Sequence, residues 1–62
     1  MFSDNLRRIR IENKINQREL AKKLNVTQET ISYWETGKRQ PTLDKLVKLS
    51  KIFNISIDDL LK

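Results

Sequence analysis

The sequence predicts an all-α fold, five short helices packed into one compact domain over residues 1–62. Three observations carry that expectation. Apolar residues recur at i, i+3 and i+4 rather than in alternation, which is the period of a helix with one buried face. A Ser, Thr, Asp or Asn stands ahead of each such run, ready to accept from the unpaired amides of a first turn. The single glycine and the single proline, Gly37 and Pro41, both fall between runs. No strand pattern, internal repeat or linker interrupts them.

The elements follow in order. Ser3 or Asp4 is expected to cap a first helix running to about Asn13, with Phe2, Leu6 and Ile9 as its apolar contacts. Lys14, Ile15 and Asn16 form the link. Asn16 then caps a second helix, with Glu19 three positions on to close a capping box, and Leu20, Ala21 and Leu24 line its inner side. Only Asn25 and Val26 separate this run from Thr27, the cap of a third helix whose inner stripe is Ile31 and Trp34. Two helices joined so tightly cross at a steep angle, and Ala21 suits the close approach. This is the helix-turn-helix pattern. Gly37 stops the third helix as a left-handed residue. Lys38, Arg39 and Gln40 make a basic loop ending at Pro41. Thr42 caps a fourth helix carrying Leu43, Leu46, Val47, Leu49 and Phe53, and Ser56 with Asp59 opens a short fifth containing Ile57, Leu60 and Leu61.

On a helical wheel for residues 27–36, Ile31, Trp34 and Glu35 point inward while Glu29, Ser32, Tyr33 and Thr36 fall on the opposite side. A solvated helix face more often carries Lys and Glu in i, i+4 pairs. A polar face without Lys or Arg in so basic a chain is suited to reading base edges. The net charge of +5 and the pI near 9.9 call for an anionic partner. Most of the excess precedes Pro41: Arg7, Arg8, Arg10, Lys14, Arg18, Lys22, Lys23, Lys38 and Arg39 face only Asp4, Glu12, Glu19, Glu29 and Glu35. That places the charge with the helix-turn-helix, where phosphates would be met. Lys22, Lys23, Lys45, Lys48 and Lys51 are read as solubilising charges.

Absences restrict the remaining classes. Without Cys or His there is no disulfide, thiol chemistry, usual zinc site or histidine base, and no cofactor or metal is called for. Asp58 and Asp59 follow Ser56 at a helix start, where acidic side chains complement the positive end, so they read as caps rather than as a catalytic pair. No apolar run is long enough to span a bilayer, and MFSDNLRRIR lacks a signal-peptide core. A cytoplasmic, non-enzymatic protein is expected.

LRRIR in the first helix, NQRELAKKLNVTQETISYWETGKRQP through the motif and loop, and LDKLVKLSKIFNISIDDLL at the end resemble the phage-repressor and Cro type of helix-turn-helix domain. The resemblance covers residues 2–62 and implies a five-helix domain, the motif as helices two and three, that binds operator DNA and regulates transcription. By the same resemblance Gln28, Glu29 and Tyr33 stand at base-reading positions, with Ser32 on the same face. Gln17 and Arg18 at the start of the second helix, Thr27, Thr36, and the loop residues Lys38, Arg39 and Gln40 stand where the DNA backbone is gripped. Arg10 and Glu35 match a pair that forms a salt bridge between the first and third helices. Asn25 and Lys14 stand where relatives commonly have Gly; Asn tolerates the left-handed conformation through its short polar side chain.

Chemistry suggests individual roles. The Gln28 amide can pair with adenine and the Glu29 carboxylate can accept from cytosine N4, each good bidentate pair giving roughly 1–3 kcal/mol of discrimination. Tyr33 has two openings, its ring on a thymine methyl or its hydroxyl on a phosphate. Trp34 shares the inward stripe with Ile31 and reads as core. One core below roughly 70–80 residues supplies only about 3–5 kcal/mol, which argues for a homodimer. A dimer would set two recognition helices roughly 34–36 Å apart on a near-palindromic operator. Of the C-terminal apolar residues Ile52, Ile55, Ile57 and Leu61, Ile57 is the interface candidate. Two alternatives stay open at this point: an antitoxin paired with a protein toxin, and the DNA-binding part of a larger regulator with a C-terminal sensor domain.

Overall fold

A computed structural model covers residues 1–62 and contains five helices: α1 (Phe2–Glu12), α2 (Gln17–Leu24), α3 (Gln28–Thr36), α4 (Leu43–Phe53) and α5 (Ile57–Leu61). Four of them start on the caps expected from sequence. The Asn16 side chain accepts from the Glu19 amide at 2.8 Å, and the Glu19 carboxylate accepts in return from the Asn16 amide at 3.1 Å. Thr27, Thr42 and Ser56 accept in the same way from the amides of Thr30, Lys45 and Asp59.

α1 departs from the expectation. It begins at Phe2, two residues before a Ser3 cap would allow and three before an Asp4 cap would, and Met1 caps it without a side-chain bond. The reason is tertiary. Starting early carries Phe2 into the core, where it is 7% exposed; burying such a side chain is worth about 1.5–3 kcal/mol, against about 1 kcal/mol for a cap.

The helix ends are more uniform than the sequence suggests. Lys14, Asn25, Gly37 and Asn54 all take a left-handed conformation, with φ of 55°, 57°, 79° and 55°. After each, the next amide reaches back to a carbonyl in the last turn: Ile15 to Arg10, Val26 to Ala21, Lys38 to Tyr33 and Ile55 to Ser50. These are Schellman closures, and Ile15, Val26 and Ile55 then pack against the core as the motif favours. Only one of the four positions is glycine. Asn25 and Asn54 tolerate the geometry, but a long Lys side chain has no compensating local bond, and a left-handed residue costs about 1–2 kcal/mol. Lys14→Gly is therefore expected to stabilise the fold by about 1 kcal/mol, after allowing for the greater freedom of glycine in the unfolded chain. Denaturant unfolding reads this as a raised midpoint; a midpoint at or below that of the wild type contradicts it.

The core is a single cluster of Phe2, Leu6, Ile9, Leu20, Ala21, Leu24, Ile31, Trp34, Leu49, Phe53 and Leu60. α3 packs against both α1 and α2, α5 against α1 and α4, and α4 against α2. The Asn5 amide donates to the Leu60 and Lys62 carbonyls, fastening α1 to the end of α5. Two of the apolar residues carried by α4 lie outside the core: Leu43 is 69% and Val47 36% exposed. The buried stripe of α4 runs instead through Leu46, Leu49 and Phe53, at i, i+3 and i+7, with Leu43 and Val47 to one side of it. On α5 only Leu60 is fully buried, while Ile57 is half-buried and Leu61 exposed. No helix is long and apolar enough to cross a membrane.

Candidate nucleic-acid interface

α3 is anchored from beneath. Ile31, Trp34 and Glu35 are its buried residues, as the wheel requires. Glu35 is the only buried charged residue, and its carboxylate is fully engaged. Arg10 of α1 donates Nε to Oε2 at 2.6 Å and Nη2 to Oε1 at 3.0 Å, a fork-on-fork pair. Arg10 also donates Nη1 to the Ile15 carbonyl at 3.1 Å, so one guanidinium ties α1, the α1–α2 link and α3 together. The hydrogen bond to Glu35, opposed by burial and helped by its charge, raises the guanidinium pKa above its ordinary value.

Gln17 completes this cluster. Its side-chain amide, half-buried, donates one N–H to Glu35 Oε1 at 3.2 Å. The Gln17 and Arg18 backbone amides remain without partners in the first turn of α2, where anions are favoured, and the Arg18 side chain is exposed.

The opposite face of α3 is open. Gln28 and Glu29 are exposed and Ser32 half-exposed, and none of their side chains has a hydrogen-bond or ion-pair partner within the chain. They are free to engage a ligand. Two other residues of this group are already occupied. The Thr27 hydroxyl caps the Thr30 amide at 3.1 Å and meets the Thr30 hydroxyl at 2.9 Å. The Thr36 hydroxyl donates to the Ser32 carbonyl at 3.0 Å, which leaves it no proton for a phosphate in this rotamer.

Beyond Gly37 the loop folds back over α3. Lys38 Nζ lies 5.8 Å and the Arg39 guanidinium carbon 5.4 Å from the centre of the Tyr33 ring. Lys38, Arg39 and Gln40 are exposed. Between α3, this loop and the start of α4 runs an open groove of about 440 Å³, lined in part by Glu29, Tyr33, Arg39, Gln40 and Lys45. Lys45 is not the solvated charge expected from sequence. It is half-buried, and its ammonium donates to the Leu24 carbonyl at 3.0 Å, where a cation offsets the negative end of α2. No local pattern signals this, because the contact depends on how α4 crosses α2.

Thus α2 and α3 cross through a three-residue turn, one buried helix face is pinned by ionic and apolar contacts, and the other face is open and polar beside a basic loop. The helix-turn-helix family model matches residues 6–60 of this chain. The chain belongs to the helix-turn-helix family. Within it, the relatives are of the phage-repressor and Cro type. It is 39% identical to the uncharacterized HTH-type transcriptional regulator YqaE of Bacillus subtilis over all of its own length and 53% of that protein's. It is 35% identical to the cryptic phage CTXphi transcriptional repressor RstR of Vibrio cholerae over 97% of its length and 54% of that protein's. The chain thus spans about half the length of these two relatives. Among solved structures, the P22 c2 repressor in complex with a synthetic operator superimposes with a TM-score of 0.93 at 35% identity, covering 100% of this chain and 94% of that one.

Proposed function

We propose that this chain binds duplex DNA sequence-specifically at an operator and serves a transcriptional regulator, acting as a repressor, with α3 in the major groove. The observation that carries this reading is the row of unengaged polar side chains on α3, Gln28, Glu29 and Ser32, set on a rigid helix beside the cations of residues 38–39. The likeness to a repressor whose structure is in complex with operator DNA supports it. The similarity to a transcriptional regulator and a phage repressor favours it over an antitoxin. The greater length of those relatives favours, as a second reading, a regulator in which residues 1–62 form one DNA-binding domain joined to a further unit.

In this reading Gln28 pairs with adenine and Glu29 accepts from cytosine N4, with Ser32 beside them. Arg18, Lys38, Arg39 and Gln40 hold the backbone, joined by the Thr27 cap and the unpaired backbone amide of Gln17. The protein works in the cytoplasm without catalysis, cofactor or metal. It acts as a homodimer on a near-palindromic site, with Ile57 at the interface. Gln28→Ala is expected to relax preference at one base position, whereas Arg39→Ala weakens all duplexes alike and lowers the salt slope by about 1. Titrations against a panel of single-base operator variants at several salt concentrations separate the two. Equal loss on every sequence with Gln28→Ala contradicts the base-reading role.

A further inference from the structure

Tyr33 is the residue of α3 for which sequence leaves two incompatible roles, its ring on a thymine methyl or its hydroxyl on a phosphate. The structure favours neither. The side chain is half-buried, and the ring already has two partners, Lys38 and Arg39, both within 6 Å of its centre. A ring of this kind attracts cations through the negative charge of its face, and a guanidinium also stacks on it. These two cations have no carboxylate partner anywhere in the chain; the salt bridges involve Arg8, Arg10, Lys48 and Lys62 instead. Adjacent in sequence and of like charge, they would otherwise spread apart into solvent. The ring gathers them.

The backbone reinforces this arrangement. The amides of both Lys38 and Arg39 donate to the carbonyl of Tyr33 itself, at 2.9 and 3.3 Å. One residue therefore holds the loop twice, main chain by its carbonyl and side chains by its ring. Gly37, at φ 79°, makes the reversal that permits it. Tyr33 and Arg39 also line the groove beside Glu29, so the collected charge faces the edge of the candidate reading surface.

We infer that Tyr33 is a positioning residue, a platform that orders Lys38 and Arg39 so that both meet phosphates in fixed register with α3, and that it reads no base. This rests on the DNA-binding reading above. Pre-ordering two cations saves the freedom they would lose on binding, and phosphate contacts act on every sequence equally.

The test is a titration of wild type, Tyr33→Phe and Tyr33→Leu against the operator, its single-base variants and unrelated duplex at several salt concentrations. Circular dichroism monitors the fold. Tyr33→Leu is expected to bind every duplex several-fold more weakly by the same factor, with a salt slope lower by about 1. Tyr33→Phe, which keeps the ring, keeps the slope. In a Lys38→Ala, Arg39→Ala background Tyr33→Leu has no further effect. A change of preference at one base pair makes Tyr33 a base reader and overturns the inference. A loss in Tyr33→Phe as large as in Tyr33→Leu assigns the role to the hydroxyl and overturns it as well. Wild-type NMR gives an answer independent of any variant: the Arg39 δ and Lys38 ε protons should show upfield ring-current shifts, and random-coil values overturn the inference. A wild type that binds no duplex overturns the functional reading and this one together, whereas wild-type binding with an unaltered Tyr33→Leu removes only this one.

Discussion

Replacing Arg10 by Met is expected to leave the chain largely unfolded. Arg10 and Glu35 are both withdrawn from solvent, with side chains 13% and 4% exposed. Removing one partner of a buried pair costs about 3–5 kcal/mol because the other charge is stranded, and a chain of this size has little more than that to lose. The wider set of contacts raises the stakes. Without Arg10 the Ile15 carbonyl also loses its donor, and Glu35 keeps only the Gln17 amide. Glu35→Met should be comparably severe, since it leaves the Arg10 guanidinium withdrawn from solvent with one carbonyl for a partner. The double replacement by apolar residues of similar volume should recover much of the stability, because both desolvation costs vanish together. Thermal melts of the two singles and the double decide it. Singles that melt within a few degrees of wild type contradict the pair's structural role.

Trp34→Ala is expected to be similarly damaging. Trp34 belongs to the same cluster as Ile31, Leu20 and Leu24, and truncating a buried Trp costs about 3–5 kcal/mol through lost burial and the cavity left behind. Trp34→Phe, which refills part of that volume, should lose markedly less. Far-UV circular dichroism through a thermal ramp measures both. A Trp34→Ala variant that melts like wild type but loses DNA affinity would contradict the core role and make Trp34 a stacking surface.

What the sequence discloses and what it hides divide along the range of the interaction concerned. The Asn16–Glu19 capping box, the Thr27, Thr42 and Ser56 caps, the turn at Asn25 and the stop at Gly37 involve groups within a few residues of one another, so they are legible as spacing. The inward set Ile31, Trp34 and Glu35 is equally local, being fixed by the helical period. The start of α1 is not, because Phe2 extends the helix only through what it buries beyond it. Leu43 and Val47 share the composition of a core stripe but lie to one side of it. Within the candidate site the resemblance gives the positions, and the structure adds the state of each group. Gln28, Glu29 and Ser32 are unengaged, the Thr36 hydroxyl is bonded to a carbonyl of its own helix, the Gln17 amide donates to Glu35, and Tyr33 lies beneath the two loop cations. Such states depend on rotamers and on contacts between elements, which spacing does not encode.

The most direct test of sequence-specific DNA binding through α3 is selection of wild-type binders from a pool of random duplex DNA, followed by sequencing, with Gln28→Ala run in parallel. The expected result is an enriched site of two inverted half-sites, their centres roughly one helical turn apart, in which Gln28→Ala loses preference at one position of each half. A pool that stays as random as the input for the folded wild-type chain contradicts sequence-specific binding, and an enriched motif identical in the variant contradicts the assignment of reading to Gln28 of α3.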